Sequence, residues 1–184
     1  MLQSHQEGII NNFILARYLG LCPFFGVSKK MGSAVSMGIA VTFVMAISSL
    51  ATWLINHYIL IPYDIQYMYI IIYILVIASL VQIVELFIKR TNLALYNSFG
   101  IYLPLITTNC AVFGVSILNV DLTYNFLESI VHGFASGIGF TLALLLMAGQ
   151  RERFELARIP EPLKGLPIAM IMAGLMSIAF LGFS

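Results

Sequence analysis

The sequence predicts an all-α integral membrane protein: six transmembrane helices forming two inverted three-helix repeats, with helices one and four broken. Three observations carry that expectation. The chain is 60% hydrophobic and only 9% charged, with a mean hydropathy of +0.97, whereas a soluble domain carries about 25% charged residues. Its apolar residues lie in long continuous runs, which suit helices rather than barrel strands. A seven-residue phrase with a cysteine occurs twice, three runs apart.

The runs follow in order. The first covers about Gly8–Val27 and holds Arg17 and Cys22. The second is Gly32–Leu60, ending at Pro62, and the third is Gln66–Ile88, closed by Lys89 and Arg90. The fourth, about Leu93–Leu118, is interrupted near Pro104–Cys110. The fifth is Tyr124–Gly149 and the sixth Leu163–Phe183. About 20 helical residues cross a hydrocarbon core of about 30 Å, and each run meets that length. The whole chain, 1–184, reads as one transmembrane domain, with repeat one at about 8–90 and repeat two at about 93–184. The opening "MLQSHQE" lacks a basic signal-peptide start, so the first run is expected to stay in the mature protein.

Basic residues set the orientation. Lys29 and Lys30, then Lys89 and Arg90, then Arg151, Arg153, Arg158 and Lys164 mark the odd loops. The even loops hold His57, Asp64 and Asp121 instead. Positive loops stay in the cytoplasm, so both termini are expected on the outer, periplasmic side of the inner membrane. The basic residues are scattered and form no phosphate-binding patch, so membrane lipid is an expected partner and nucleic acid is not.

"CPFFGVS" (Cys22–Ser28) and "CAVFGVS" (Cys110–Ser116) agree at five of seven positions and use both cysteines of the chain. Further on, "GIAVT" (Gly38–Thr42) resembles "GIGFT" (Gly137–Thr141), at an offset of 99 instead of 88. A repeat of three spans is inserted upside down in its second copy, which creates a pseudo-two-fold axis in the membrane plane. The two cysteine phrases are then expected to face each other near the midplane.

Both phrases sit at helix breaks. Pro23 suits the first position of a new half-helix, with Cys22 at the junction. Pro104 disrupts the fourth run, and Thr107, Thr108 and Asn109 can cap the restart. Gly26 and Gly114 are expected to allow close helix approach. Helix starts place partial positive charge near each sulfur, which favours thiolates and hence a metal. Two thiolates cannot complete a four-thiolate iron–sulfur or zinc site, so a second chain would supply the rest. The residues alone leave other readings open: small buried apolar cysteines, a disulfide, or a substrate site in a transporter. Arg17 either balances a negative cluster or snorkels outward. Gln82 and Glu85 share a face and are candidates for a cation path, although Glu85 also stands i,i+4 to Lys89. His57 and His132 read as interfacial or packing residues, Trp53 and the tyrosines from Tyr58 to Tyr73 as an aromatic belt, and "RERFELARIPEP" as a charged loop. No phosphate loop, haem motif or flavin motif is present in the sequence.

At "NNFILARYLGLCPFFGVSKK", "GIYLPLITTNCAVFGVSILN", "HYILIP", "LVIASLVQIVEL" and "AGLMSIAFLGFS" the chain closely resembles the RnfA family, membrane components of the Rnf complex, an ion-translocating ferredoxin:NAD oxidoreductase. The related NqrE family, from the Na+-translocating NADH:quinone oxidoreductase, fits less well at Pro23 and "TTNCAVFG". The resemblance implies six spans and a homologous partner, RnfE, of opposite orientation, alongside RnfB, RnfC, RnfD and RnfG. It implies a [2Fe–2S] cluster held by two cysteines of each partner, here Cys22 and Cys110. It implies electron relay across the membrane coupled to Na+ or H+ movement, in a translocase whose flavin, NAD and ferredoxin sites lie on other subunits. The competing class is a secondary transporter without redox chemistry, binding substrate through Thr107, Thr108 and Asn109.

Overall fold

A computed structural model of the chain describes residues 19–28, 31–63, 66–91, 103–122, 124–155, 160 and 164–182. Every element among them is helical. Helix α1 is Leu21–Val27, and α2 is Met31–Ile55. A π-helical turn, Asn56–Leu60, and a single turn, α3 (Ile61–Tyr63), prolong α2. After a 3-10 turn at Gln66–Met68 come α4 (Tyr69–Thr91), α5 (Leu103–Thr107), α6 (Cys110–Asp121), α7 (Phe126–Glu155) and α8 (Leu166–Leu181).

Three stretches among the described residues are long and apolar enough to cross a membrane. They are Met31–Leu60, Tyr69–Leu86 and Phe126–Phe154, with mean hydropathies of 2.0, 2.4 and 1.9. Leu105–Asp121 and Leu166–Phe180 are shorter apolar helices. The outward faces stay apolar: Ile39, Phe43, Ile71, Leu75, Ile83 and Ile178 are all exposed. In water such a girdle would drive aggregation; against lipid tails it carries no penalty. The first run is described only from Leu19, so its outer part and Arg17 lie outside the described residues.

Two expected boundaries move. The second apolar span ends at Leu60, as expected, and the described helix runs one residue past Pro62. Proline cannot donate to the carbonyl four residues back, and its ring would press on it. The turn before it widens instead, with the Ile61 N–H bonding to the Asn56 carbonyl, so the helix absorbs the proline through a π turn. The fifth span does not stop at Gly149 but runs to Glu155, taking Arg151, Glu152 and Arg153 out of the expected loop. The half-helix with the first cysteine starts at Leu21, not at Pro23, because Gly20 adopts φ 90° and turns the chain there. Pro23 then falls inside the first turn, where its missing N–H would have had no helical partner anyway.

The centre of the bundle is the antiparallel pair α2 and α7, in contact along their lengths. Their crossing uses the "GIAVT" and "GIGFT" residues reciprocally. A methyl on Gly38 would lie 2.5 Å from Thr141 Cγ2, and one on Gly137 would lie 2.8 Å from Thr42 Cα. Thr42 Oγ1 and Thr141 Oγ1 stand 3.1 Å apart. Each hydroxyl also reaches its own helix, at the carbonyls of Gly38 (2.8 Å) and Gly137 (2.9 Å). Two protons serve these three contacts, so one contact always lacks a proton. Around the crossing, Met37, Val41, Phe140, Leu144 and Met147 fill the core. Gly26, in contrast, is not a close-approach glycine: a methyl there would meet only Leu105 Cδ1 at 3.7 Å. Gly114 is buried in α6.

Overpacking a tight site costs about 1–3 kcal/mol, while an interhelical hydrogen bond inside a membrane averages about 0.6 kcal/mol. Gly137→Ala is therefore expected to lower the unfolding midpoint of the detergent-solubilised protein more than Thr42→Val does. Gly174→Ala, whose methyl would meet open space, is expected to leave the midpoint unchanged or raise it slightly.

Candidate functional site

The two cysteine phrases meet beside the α2–α7 crossing. In the second phrase the chain leaves α5 at Thr107, and the Asn109 N–H bonds back to the Ile106 carbonyl at 3.3 Å. Asn109 then takes an extended conformation (φ −72°, ψ 110°), and its side-chain oxygen accepts the Ala111 N–H at 3.0 Å. That N-cap restarts the helix, with Cys110 as its first residue. The break expected near Pro104–Cys110 is thus present, and it is built on Asn109.

The chain just before the first phrase reaches across to the second. The Gly20 N–H donates to Cys110 Sγ at 2.9 Å. Gly20 can do this only as glycine. Its positive φ disfavours any side chain, and a methyl would lie 2.8 Å from Phe140 Cε2 and 3.0 Å from Ala111 Cβ. Two residues further on, Cys22 is exposed while Pro23 and Phe24 are buried. Both cysteines are free thiols, with Cys110 half-buried. An N–H aimed at sulfur complements the negative charge that a metal-bound thiolate carries.

The far end of α1 is tied down by a residue expected in a loop. Arg151, on the last turns of α7, donates through one nitrogen to the Phe25 carbonyl (2.8 Å) and to Ser28 Oγ (2.9 Å). A cation at a helix C-terminus satisfies carbonyls left over there. A signal existed: Phe140, Leu144, Met147 and Arg151 continue one helix face at i+3 and i+4 spacing. The abundance of charge around Arg151 hid it.

The remaining candidates are spread out. Thr108 is exposed at the break, and Thr107 is half-buried beside it. Asn109 is buried, with its Nδ2 unpartnered among the described residues. On α4, Gln82 faces outward and Glu85 is half-buried. Tyr73, Ile77 and Val81 form the buried face of that helix, so Gln82 points away from the bundle interior. Among the described residues no group of three or more histidine, cysteine or carboxylate side chains is arranged to hold a metal. What this chain brings together is the Cys110 sulfur and a backbone N–H two residues before Cys22, which is itself exposed.

Comparison with known proteins gives the family. A family model described as Rnf-Nqr subunit, membrane protein, matches residues 2–184. The A component of the ion-translocating oxidoreductase complex of Serratia proteamaculans is 54% identical over 176 residues, 96% of this chain and 91% of the relative. The A component of the Na(+)-translocating ferredoxin:NAD(+) oxidoreductase complex of Acetobacterium woodii is 54% identical over 175 residues, 95% of this chain and 91% of that one. The corresponding component of the Shewanella oneidensis ion-translocating oxidoreductase complex is 51% identical over 176 residues, covering 96% and 92%. With the whole length matched and half the residues shared, the chain belongs to the Rnf-Nqr family of membrane-protein subunits.

Proposed function

We propose that this chain is the RnfA component of an ion-translocating ferredoxin:NAD+ oxidoreductase, and that Cys22 and Cys110 supply half the ligands of a [2Fe–2S] cluster shared with a homologous partner, RnfE. The observation that carries this reading is the Gly20 N–H on Cys110 Sγ, which ties the backbone two residues before the exposed Cys22 to the other cysteine. The donor set fits the group. Thiolates are the ligands such clusters take, two is half the required number, and an exposed Cys22 leaves room for a second chain. When bound, the cluster supplies one-electron transfer across the membrane, coupled in the complex to movement of Na+ or H+.

The residues of this chain have separate tasks in that reading. Gly20 holds Cys110 Sγ and orients it. Asn109 fixes the restart of α6, so the Cys110 backbone has one position. Because its side-chain oxygen is used in the cap, it is a poor substrate ligand, which counts against the transporter alternative. Arg151 clamps the end of α1 and with it the direction of Cys22. Glycines and threonines on α2 and α7 set the axis about which the halves are related. Thr42 and Thr141, in contact there, differ by 99, their helices run antiparallel, and each glycine faces the other helix's threonine. These are the properties of an inverted repeat with its two-fold axis between Thr42 and Thr141. Ser28, Met31, Gly149 and Arg151 gather at one end of the bundle, next to Lys29 and Lys30 in the chain. We assign that end to the cytoplasm and the termini to the outer side.

The test is anaerobic purification of the intact complex followed by iron and sulfide analysis and EPR. Cys22→Ser and Cys110→Ser are each expected to remove two irons and one EPR signal while the complex still assembles. Unchanged iron and EPR in either variant would overturn the assignment. Gly20→Ala is expected to shift the midpoint potential of that signal or to lower its occupancy, because the methyl pushes the N–H away from sulfur. Arg151→Met is expected to lower cluster occupancy less than either cysteine substitution, with Arg151→Lys partly restoring it, read from iron content per complex.

A further inference from the structure

A band of buried polar side chains crosses the bundle at the end remote from Arg151. Ser48 and Ser49 come from α2, Asn119 from α6, and His132 and Ser136 from α7. His132, read from the sequence as an interfacial or packing residue, is fully buried in the second turn of α7. Its Nδ1 lies 2.7 Å from Asn119 Oδ1. Ser49 packs against the next residue, Gly133, where a methyl would lie 2.5 Å from its Oγ. Tyr124 stands edge-on to His132, and Trp53 Nε1 donates to the Tyr124 carbonyl at 3.0 Å, closing the band toward the helix ends.

The His132–Asn119 pair leaves a remainder. A neutral imidazole has one donor and one acceptor nitrogen, and an amide has an acceptor and a donor end. Whichever tautomer and amide orientation is chosen, the bond between them leaves at least one donor and one acceptor over. Among the described residues, His132 Nε2 and Asn119 Nδ2 are buried without a partner, as are the hydroxyls of Ser48, Ser49 and Ser136. A serine can rotate to the carbonyl one turn back on its own helix, but the ring and the amide have no such recourse.

We propose that ordered water occupies this band, held by His132 Nε2, Asn119 Nδ2 and the serine hydroxyls. The donor set chooses water over a metal cation. A cation offers nothing to an N–H donor and favours charged oxygens, whereas water both donates and accepts. The nearest carboxylates along these helices are engaged elsewhere: Asp121 is exposed, and Glu128 accepts the Asn125 N–H at 3.2 Å. Asn119 is nine residues along α6 from Cys110, about 14 Å by helical rise. The bundle thus carries a protonatable ring in contact with internal water, one α6 helix away from the cysteine.

The deciding experiment is a cryo-EM map of the intact complex in which ordered water is resolved elsewhere in the membrane domain. The expected result is a density peak within hydrogen-bond distance of His132 Nε2 and a second contact from that peak to Asn119 or a serine hydroxyl. In His132→Phe the peak is expected to vanish while the helices keep their positions. A map with Nε2 against carbon atoms alone would overturn the proposal. So would a peak with cation distances of about 2.4 Å that disappears when Na+ is removed. The wild-type map decides even where the variant does not assemble.

Discussion

The close crossing of α2 and α7 is the contact on which the other features depend. Lipid tails are as apolar as the helix surfaces, so the hydrophobic effect gives two membrane helices little reason to associate. Dispersion between well-fitted surfaces has to do it, and its strength falls steeply with separation. Gly38 and Gly137 remove the side chains that would hold the helices apart, and Thr42 and Thr141 fill the resulting grooves from the opposite helix. The hydroxyl contact at 3.1 Å sets register more than strength. At about 0.6 kcal/mol for an average interhelical bond, it cannot outweigh the packing of two faces.

That crossing makes room for two short helices that could not span a membrane alone. α1 has 7 residues and α6 has 12, and each starts at a break whose freed backbone groups need partners inside protein. The first break is turned by Gly20, and its N–H is used on the sulfur of the second phrase. The second is capped by Asn109. Phe140, from the central pair, lies against Gly20. The site is therefore supported from α7 at both ends of α1: by an aromatic ring at the start and by Arg151 at the finish. A chain built this way has fixed one sulfur and left the other cysteine exposed.

Much of this was legible in the sequence, and the parts that were not fail for physical reasons. The doubled cysteine phrase and the two GxxxT stretches were visible because residue identity repeats, and they do lie at the crossing and beside it. The start of α1 was misplaced by two residues because proline advertises a helix start, while the positive φ of Gly20 leaves no mark on an apolar run. Gly26 was credited with a close approach that Gly38 and Gly137 make, since a glycine's role depends on what lies opposite it. Arg151 was missed because a cation beside other charges resembles a loop. For His132 the packing reading holds, but its partner Asn119 stands on another helix and leaves no mark in the local sequence.

Site-directed cross-linking of a Thr42→Cys, Thr141→Cys pair within the assembled complex tests the central claim most directly. The antiparallel crossing predicts a disulfide between these two positions of a single chain, identified by mass spectrometry as a peptide pair 99 residues apart. It also predicts that Ile39→Cys with Thr141→Cys, in which the first site faces outward, cross-links far less. Absence of the 42–141 pair, or its formation only between separate copies, would contradict the crossing on which the Gly20–Cys110 contact rests.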